Sequence, residues 1–129
     1  EFALKNNVHI EFKGKINNSS LPNELLKAEV FILPSFYEGC PKALLEAMAC
    51  SLPCIGADVE GINEVIIHKE NAYLCQTNAQ SIEKALRSVL NNKELQEKMA
   101  KGARETILEN FSFEKITEKE KAMYAEIFC

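Results

Sequence analysis

The chain has 129 residues, of which 47% are hydrophobic and 26% charged, and its formal charge is −4. This length matches one ordinary domain, and the apolar fraction excludes disordered, collagen-like and low-complexity classes. The negative charge offers no basic surface, so we expect no nucleic-acid partner. Five cysteines without a CxxC pair favour free thiols over a disulfide framework or a zinc site.

Strand and helix patterns alternate over the first 75 residues. Alternating or continuous apolar runs predict four strands, at residues 8–12, 30–33, 52–56 and 72–75. Helix-forming runs predict short helices at 23–28 and 41–49, with a helical turn at 61–67. The run at 30–33 has no polar residue, which is typical of a strand buried on both faces of a parallel sheet.

Beyond Gln76 the apolar spacing changes to the period of a helix. We expect Ser81 to cap a helix that ends at Leu90, and two further helices over residues 95–110 and 113–128. This order of elements predicts an α/β fold: a mainly parallel sheet with helices on both faces and additional carboxyl-terminal helices. We expect residues 1–129 to form a single domain.

The connection between the second predicted strand and the next helix is the most informative stretch. The strand ends at Pro34, the loop contains Gly39, and the helix begins near Pro41. Ligands of open α/β sheets bind at the carboxyl ends of strands, where the amides of a helix start commonly bind phosphate. Two carboxylates, Glu38 and Glu46, bracket this turn.

The spacing of these two glutamates bears on their chemistry. A hydrolytic acid/base pair needs carboxyl groups about 5–9.5 Å apart, whereas eight residues of continuous helix span about 12 Å. The spacing favours two separate contacts with sugar hydroxyls, one glutamate for each ring. On spacing alone, a solvated helix residue and an ordinary loop charge remain the alternative.

These residues are similar to the carboxyl-terminal, donor-binding domain of GT-B retaining glycosyltransferases of the GT4 type. Glu38 and Glu46 fall on the E-x7-E motif, the most specific mark of that family. The match extends over nearly the whole chain, at Val8, Phe12, Gly14, 33–35, 37–39, 41–49, 53–56, 61–66, Glu70, Asn71, Phe111 and Ser112. The resemblance implies an incomplete Rossmann-like parallel sheet, the carboxyl-terminal half of GT-B.

The resemblance also implies the roles of the site residues. Glu38 is expected to contact hydroxyls of the donor hexose and to be the catalytic residue, and Glu46 to bind the ribose. The other expected donor contacts are backbone groups: Gly39 and Cys40 at the sugar, Ala43, Leu44 and Leu45 at the diphosphate, and Lys15 and Ile16 at the base. Lys42 is a candidate phosphate contact, with an exposed surface lysine as the alternative. No metal and no cofactor are expected.

The implied activity is transfer of a hexosyl group, with retention, from a UDP- or GDP-sugar to a saccharide or lipid-linked acceptor. The implied location is the cytoplasm or the inner face of the membrane. Two alternatives remain open: a non-catalytic nucleotide-sugar-binding or assembly module, and a nucleotide-sugar epimerase with the GT-B fold.

Several family features are absent from the sequence. Ser51 and Ala72 stand where the family usually has glycine, which predicts altered turns. The chain offers no counterpart of the family's Arg/Lys pair or of its amino-terminal domain, so we expect these 129 residues to be inactive by themselves. In the family's usual sheet, two strands lie between the counterparts of the strands predicted at 8–12 and 30–33, and we find no residues here that would form them. We therefore expect self-association or a rearranged first strand.

Overall fold

The structure is a computed structural model that describes residues 2–128. The helices in that range are α1 (Phe2–Lys5), α2 (Leu21–Leu25), α3 (Lys42–Ala49), α4 (Ala79–Leu90), α5 (Lys93–Asn110) and α6 (Phe113–Phe128). The strands are β1 (Phe31–Leu33), β2 (Cys54–Ala57) and β3 (Tyr73–Cys75). No described helix is both long and apolar enough to cross a bilayer.

The three strands form one parallel sheet in the order β1-β2-β3. Ile32 lies opposite Ile55, and Gly56 lies opposite Leu74. All four residues of the central strand β2 are buried. The sequence predicts that β1 is also buried on both faces, but its three residues are only half-buried, because β1 lies at the edge of the described sheet. The predicted α/β class and the strands near residues 30–33, 52–56 and 72–75 are therefore confirmed.

The sheet has an apolar cluster on each face because successive side chains of a strand point in opposite directions. Phe31 and Leu33 pack on one side with α3 and the second half of α5. Ile32 packs on the other side with α4 and the first half of α5. The helices therefore cover both faces, and the carboxyl ends of the strands open toward the loop before α3.

The predicted strand at residues 8–12 is wrong. This segment has no regular secondary structure, and the exposed fractions of Val8, Ile10 and Phe12 are 52%, 53% and 92%. An alternating pattern becomes a strand only when a neighbouring strand supplies its hydrogen bonds, and the described sheet has β1 at its edge instead. The segment turns toward α2, where Lys13 forms an ion pair with Glu24 at 3.3 Å.

The predicted cap of α4 is also wrong. The helix begins at Ala79, and the side chain of Asn78 accepts a hydrogen bond from the Ser81 amide at 2.9 Å. Ser81 instead accepts a hydrogen bond from the Gln76 amide through its hydroxyl, also at 2.9 Å. Asparagine and serine are equally good caps, so composition did not distinguish them. Helix α2 likewise begins two residues before its predicted start.

The two glycine positions of the family behave differently here. Ser51 has φ +56° and closes α3 in a Schellman motif, with the Ser51 amide bonded to Met48 and the Leu52 amide bonded to Ala47. The left-handed turn is thus kept although a serine occupies it. Ala72 is not in that conformation: it forms a parallel bridge with His68, and Lys69 carries the positive φ of +62°.

Candidate functional site

The loop between β1 and α3 lies at the carboxyl edge of the sheet. Strand β1 ends at Leu33, Pro34 follows, and α3 begins at Lys42 with Pro41 as its N-cap. Proline suits both ends of this loop. Pro34 does not continue the hydrogen bonding of the strand, and Pro41 does not need an amide partner at the helix start. Gly39 and Cys40 at the tip of the loop are exposed.

Glu38 is half-buried in this loop and has a defined side-chain partner. The hydroxyl of Ser35 donates a hydrogen bond to Glu38 Oε1 at 2.7 Å. Sequence reasoning did not select Ser35, although its place three residues before Glu38 was a visible signal. One carboxylate oxygen is engaged by the protein, and the other oxygen of Glu38 has lone pairs for a ligand hydroxyl.

The start of α3 presents two backbone amides. The Lys42 amide donates to Cys40 at 2.8 Å and the Leu45 amide donates to Pro41 at 3.1 Å. Among the described backbone hydrogen bonds, the amides of Ala43 and Leu44 between them have no acceptor, as expected of the first helical turn. Of the three amides expected to face a diphosphate, the Leu45 amide is therefore already used within the helix.

The side chains around these amides leave the helix start accessible. Lys42 and Ala43 are exposed, whereas the Leu44 side chain is completely buried in the core, so only its backbone can meet a ligand. The partial positive charge of the helix start and the ammonium group of Lys42 favour an anion at this position.

Glu46 lies one turn into α3, about 6 Å along the axis from its first residue. Its side chain is exposed and lines a groove of about 180 Å³ between α2 and α3. The other lining residues are Asn18, Leu21, Pro22, Leu25, Ala49 and Cys50. A mostly apolar groove with a carboxylate and an amide in its wall suits a flat ring attached to a diol.

The two residues expected beside the nucleotide base do not line this groove. Asn18 lines it, but Lys15 and Ile16 are not among its lining residues, and Lys15 is exposed. Asn18 and Cys50 were not selected from the sequence, since neither belongs to the E-x7-E stretch. Glu38, the start of α3 and Glu46 thus follow one another along a single loop and helix, and only Glu46 of these lines the groove.

A larger groove of about 350 Å³ beside α5 is a weaker candidate. Most of its charged residues are engaged with one another: Lys98 pairs with Glu70 at 2.6 Å and Lys101 pairs with Glu105 at 3.8 Å, while Glu109 also lines the groove. Asn71, which also lines it, uses its side chain for internal hydrogen bonds. The groove therefore presents few polar groups that are ready for a ligand.

The described thiols differ in environment. Within residues 2–128, no cluster of three or more His, Cys, Asp or Glu side chains is arranged to hold an ion. Burial, reinforced by the nearby Cys50, raises the pKa of the Cys54 thiol to about 12. Its Sγ donates to the Leu52 carbonyl oxygen at 3.0 Å. Cys40, in contrast, is exposed beside Glu38.

Comparisons with known proteins agree with this geometry. Residues 2–106 match the family "Glycosyl transferases group 1". The chain is 36% identical over 129 residues to N-acetyl-alpha-D-glucosaminyl L-malate synthase of Bacillus anthracis, covering 96% of this chain and 33% of that protein. It is 34% identical over 110 residues to an Escherichia coli UDP-Gal:alpha-D-GlcNAc-diphosphoundecaprenol alpha-1,3-galactosyltransferase, covering 84% of this chain and 28% of the relative.

The fold has a close counterpart among solved structures. Sucrose-phosphate synthase from Thermosynechococcus elongatus superposes with a TM-score of 0.88 at 26% identity, covering 98% of this chain and 33% of that chain. The chain spans about a third of the length of the relatives that it matches. It belongs to the group 1 glycosyl transferases, with the fold of the carboxyl-terminal domain of a GT-B glycosyltransferase.

Proposed function

We propose that this chain is the donor-binding domain of a retaining hexosyltransferase that uses a nucleotide-diphosphate sugar. The observation that carries the proposal is the arrangement along one loop and helix. Glu38 lies at one end, Glu46 lines a groove at the other, and the amides of Ala43 and Leu44 lie between them. This order matches the order sugar, diphosphate and nucleoside in the donor.

The diphosphate is proposed to bind at the start of α3. The amides of Ala43 and Leu44 would donate to phosphate oxygens, and the exposed Lys42 would offset their charge. Because these amides are fixed by the helix, they do not reorganise when negative charge develops on the departing diphosphate. The same contacts would therefore bind the donor and stabilise its leaving group.

The nucleoside is proposed to occupy the groove beside Glu46. The carboxylate of Glu46 would accept hydrogen bonds from the two ribose hydroxyls, with the base near Asn18 and the backbone of Lys15 and Ile16 at its outer edge. We favour uridine over guanosine, since the groove is small and the name of the Escherichia coli relative specifies UDP-Gal.

Glu38 is the proposed catalytic residue, since it would contact the hexose that is transferred. Its free carboxylate oxygen would accept from sugar hydroxyls, while the exposed backbone of Gly39 and Cys40 allows close approach of the ring. Orientation of the donor in this way lowers the barrier without a protein nucleophile. The acceptor, a saccharide or lipid-linked saccharide, would be held by a separate amino-terminal domain.

Titration of the chain by NMR and calorimetry tests this assignment. The probes are UDP, GDP-mannose, and the UDP derivatives of glucose, galactose and N-acetylglucosamine. Glu46→Gln should weaken UDP and UDP-sugar binding alike, each about tenfold, whereas Glu38→Gln should weaken only the sugar-bearing probe by about that factor. Glu97→Gln, an exposed glutamate on α5, is the matched control. No shift at Glu46 or the start of α3 with any probe would overturn the proposal.

We also propose that these 129 residues do not catalyse transfer by themselves. A radiolabelled UDP-sugar incubated with the chain and a lipid-linked saccharide should give no labelled product. Sugar transfer by this chain under those conditions contradicts the proposal, because the proposal assigns acceptor binding to a separate amino-terminal domain.

A further inference from the structure

Glu38 is held by residues from two different strand ends. Ser35, two residues beyond β1, donates its hydroxyl to Glu38 Oε1 at 2.7 Å, and both side chains are partly buried. An ionised carboxylate only accepts hydrogen bonds, and an O–H donor to it forms one of the stronger hydrogen bonds in proteins. This contact fixes one end of the Glu38 side chain.

Gly61 fixes the backbone of the same residue. It belongs to the turn that follows β2, has φ +82°, and lies so close to the Glu38 carbonyl group that a Cβ at position 61 would overlap the carbonyl oxygen. A glycine is required there both by the left-handed conformation and by the space. The turn after β2 therefore supports the loop after β1 at Glu38.

We propose that Ser35 and Gly61 are positioning residues that set the place and direction of the Glu38 carboxylate. Glu38 is a long side chain that loses considerable rotamer freedom when it is ordered. If Ser35 and Gly61 order it before the donor arrives, sugar binding does not have to do so. The consequence for the donor rests on the proposed function, but the ordering of Glu38 does not.

Side-chain NMR without ligand tests the ordering directly. Carbon relaxation of the Glu38 side chain should show an ordered carboxylate in the unaltered chain and in Ser35→Thr, which keeps the hydroxyl. Ser35→Ala should lower the order of Glu38, whereas Ser88→Ala, which removes an exposed hydroxyl bonded to the Lys84 carbonyl on α4, should not. An equally ordered Glu38 in Ser35→Ala overturns the role of Ser35.

Ligand titration then tests the consequence for binding. The readout is the ratio between the affinity for the tightest of the three UDP-sugars and that for UDP. Ser35→Ala should reduce this ratio about tenfold, with UDP affinity unchanged and Ser35→Thr restoring the ratio. If the ratio persists in Ser35→Ala, the positioning role is wrong. If the unaltered chain binds UDP without any preference for a sugar, the proposed role of Glu38 fails, and the relaxation experiment decides the role of Ser35.

Gly61 has a matched control in Gly14. Both have positive φ, at +82° and +62°, but a Cβ at Gly14 would meet nothing within 4 Å. Alanine at either position incurs the same type of backbone strain, while only Gly61→Ala displaces Glu38. Backbone shifts around Glu38 in ligand-free protein should change in Gly61→Ala and not in Gly14→Ala. Equal, small changes in both overturn the role of Gly61; should Gly61→Ala not fold, Ser35 still tests the ordering of Glu38.

Discussion

Asn71 and Thr106 join the end of the sheet to helix α5 through a hydrogen bond of 3.0 Å from Asn71 Nδ2 to the threonine hydroxyl. Asn71 is 2% exposed and makes two more hydrogen bonds, accepting from the Ile67 amide at 2.8 Å and donating to the Val65 carbonyl at 3.0 Å. The match of Asn71 to the family therefore has a structural explanation: its side chain hydrogen-bonds to backbone groups of the turn before β3.

We expect Asn71→Ala to lower the free energy of unfolding by about 1–3 kcal/mol, because it leaves the part-buried amide of Ile67 and the part-buried carbonyl of Val65 without their side-chain partner. Urea denaturation followed by circular dichroism measures the change. Asn63→Ala is the matched control, since the exposed side chain of Asn63 donates to the exposed carboxylate of Asp58 at 3.1 Å and to no buried backbone group; its effect should stay within about 0.5 kcal/mol. Equal losses in both variants would contradict the role assigned to Asn71.

Ser51→Gly should stabilise the chain. Ser51 holds φ +56° at the end of α3, a conformation that costs a residue with a Cβ about 1–2 kcal/mol and that glycine adopts freely. After allowance for the greater freedom of glycine in the unfolded chain, we expect a gain of about 1 kcal/mol, or a Tm about 3–6 °C higher.

Ser88→Gly is the control for this prediction because Ser88 lies inside α4. There glycine lacks the benefit of a left-handed turn and should lower stability by about 0.5 kcal/mol. If Ser51 strains the Schellman turn, thermal unfolding should show a higher Tm for Ser51→Gly and a lower Tm for Ser88→Gly, each relative to the unaltered chain. A lower Tm for Ser51→Gly would show that it is not.

The sequence alone is enough to predict a strand or helix wherever that element depends mainly on its own residues. The apolar run of β2 and the helix formers of α3 carry their structure locally, and both form where expected. The segment containing Val8, Ile10 and Phe12 has an equally clear pattern, but a strand also requires a partner, and a pattern does not reveal whether one is present. The exposure of this segment follows from the lack of a neighbouring strand to hydrogen-bond with, rather than from a low β-strand propensity of its residues.

The site shows the same division between local and tertiary information. The resemblance to the E-x7-E motif selects Glu38 and Glu46, and it can do so from sequence because both lie within one continuous stretch of chain. The contact of Gly61 with Glu38 joins residues from two strand ends, and the groove joins Asn18 with Cys50. Such contacts depend on how strands are aligned and helices packed, which spacing along the chain does not encode.

His68 should make stability depend on pH. Its Nδ1 accepts a hydrogen bond from the Leu74 amide at 3.0 Å, which requires the neutral imidazole. Partial burial, followed by the charge of Lys69, lowers the pKa of His68 below 6.5. The unfolded state therefore binds the proton more tightly, so this contribution is complete above pH about 6.5 and is lost as the pH falls through the folded-state pKa.

Urea denaturation at a series of pH values between 7.5 and 5 measures this contribution. His68→Asn, whose side-chain oxygen can accept from Leu74 without titrating, should flatten the curve. His9→Asn is the control, because His9 is exposed in the segment without regular structure. If His68→Asn leaves the pH dependence unchanged, the hydrogen bond to Leu74 does not control it.

Cys40 and Cys54 should react very differently with iodoacetamide. Cys40 is exposed at the tip of the loop, whereas the raised pKa of Cys54, about 12, makes its thiolate about a thousandfold rarer than that of an ordinary thiol. Mass spectrometry of digested protein should therefore find early label at Cys40 and not at Cys54. A UDP-sugar should slow labelling of Cys40 more than UDP does, since the proposed sugar position adjoins it. If UDP and the UDP-sugar slow the labelling of Cys40 equally, the proposed position of the sugar beside Cys40 is contradicted.

Of the two outcomes expected from the sequence, a rearranged first segment is seen at residues 8–12, and self-association stays a prediction. Val8, Ile10 and Phe12 present apolar side chains at every second position, and β1 is the edge of the described sheet; an edge of this kind offers its backbone to another chain. Light scattering at increasing concentration should give a mass that rises above that of one chain, and Ile10→Lys combined with Phe12→Lys should abolish the increase. The control is Met123→Lys on the exposed side of α6. Loss of association in Met123→Lys, but not in the double variant, would place the interface on α6 instead.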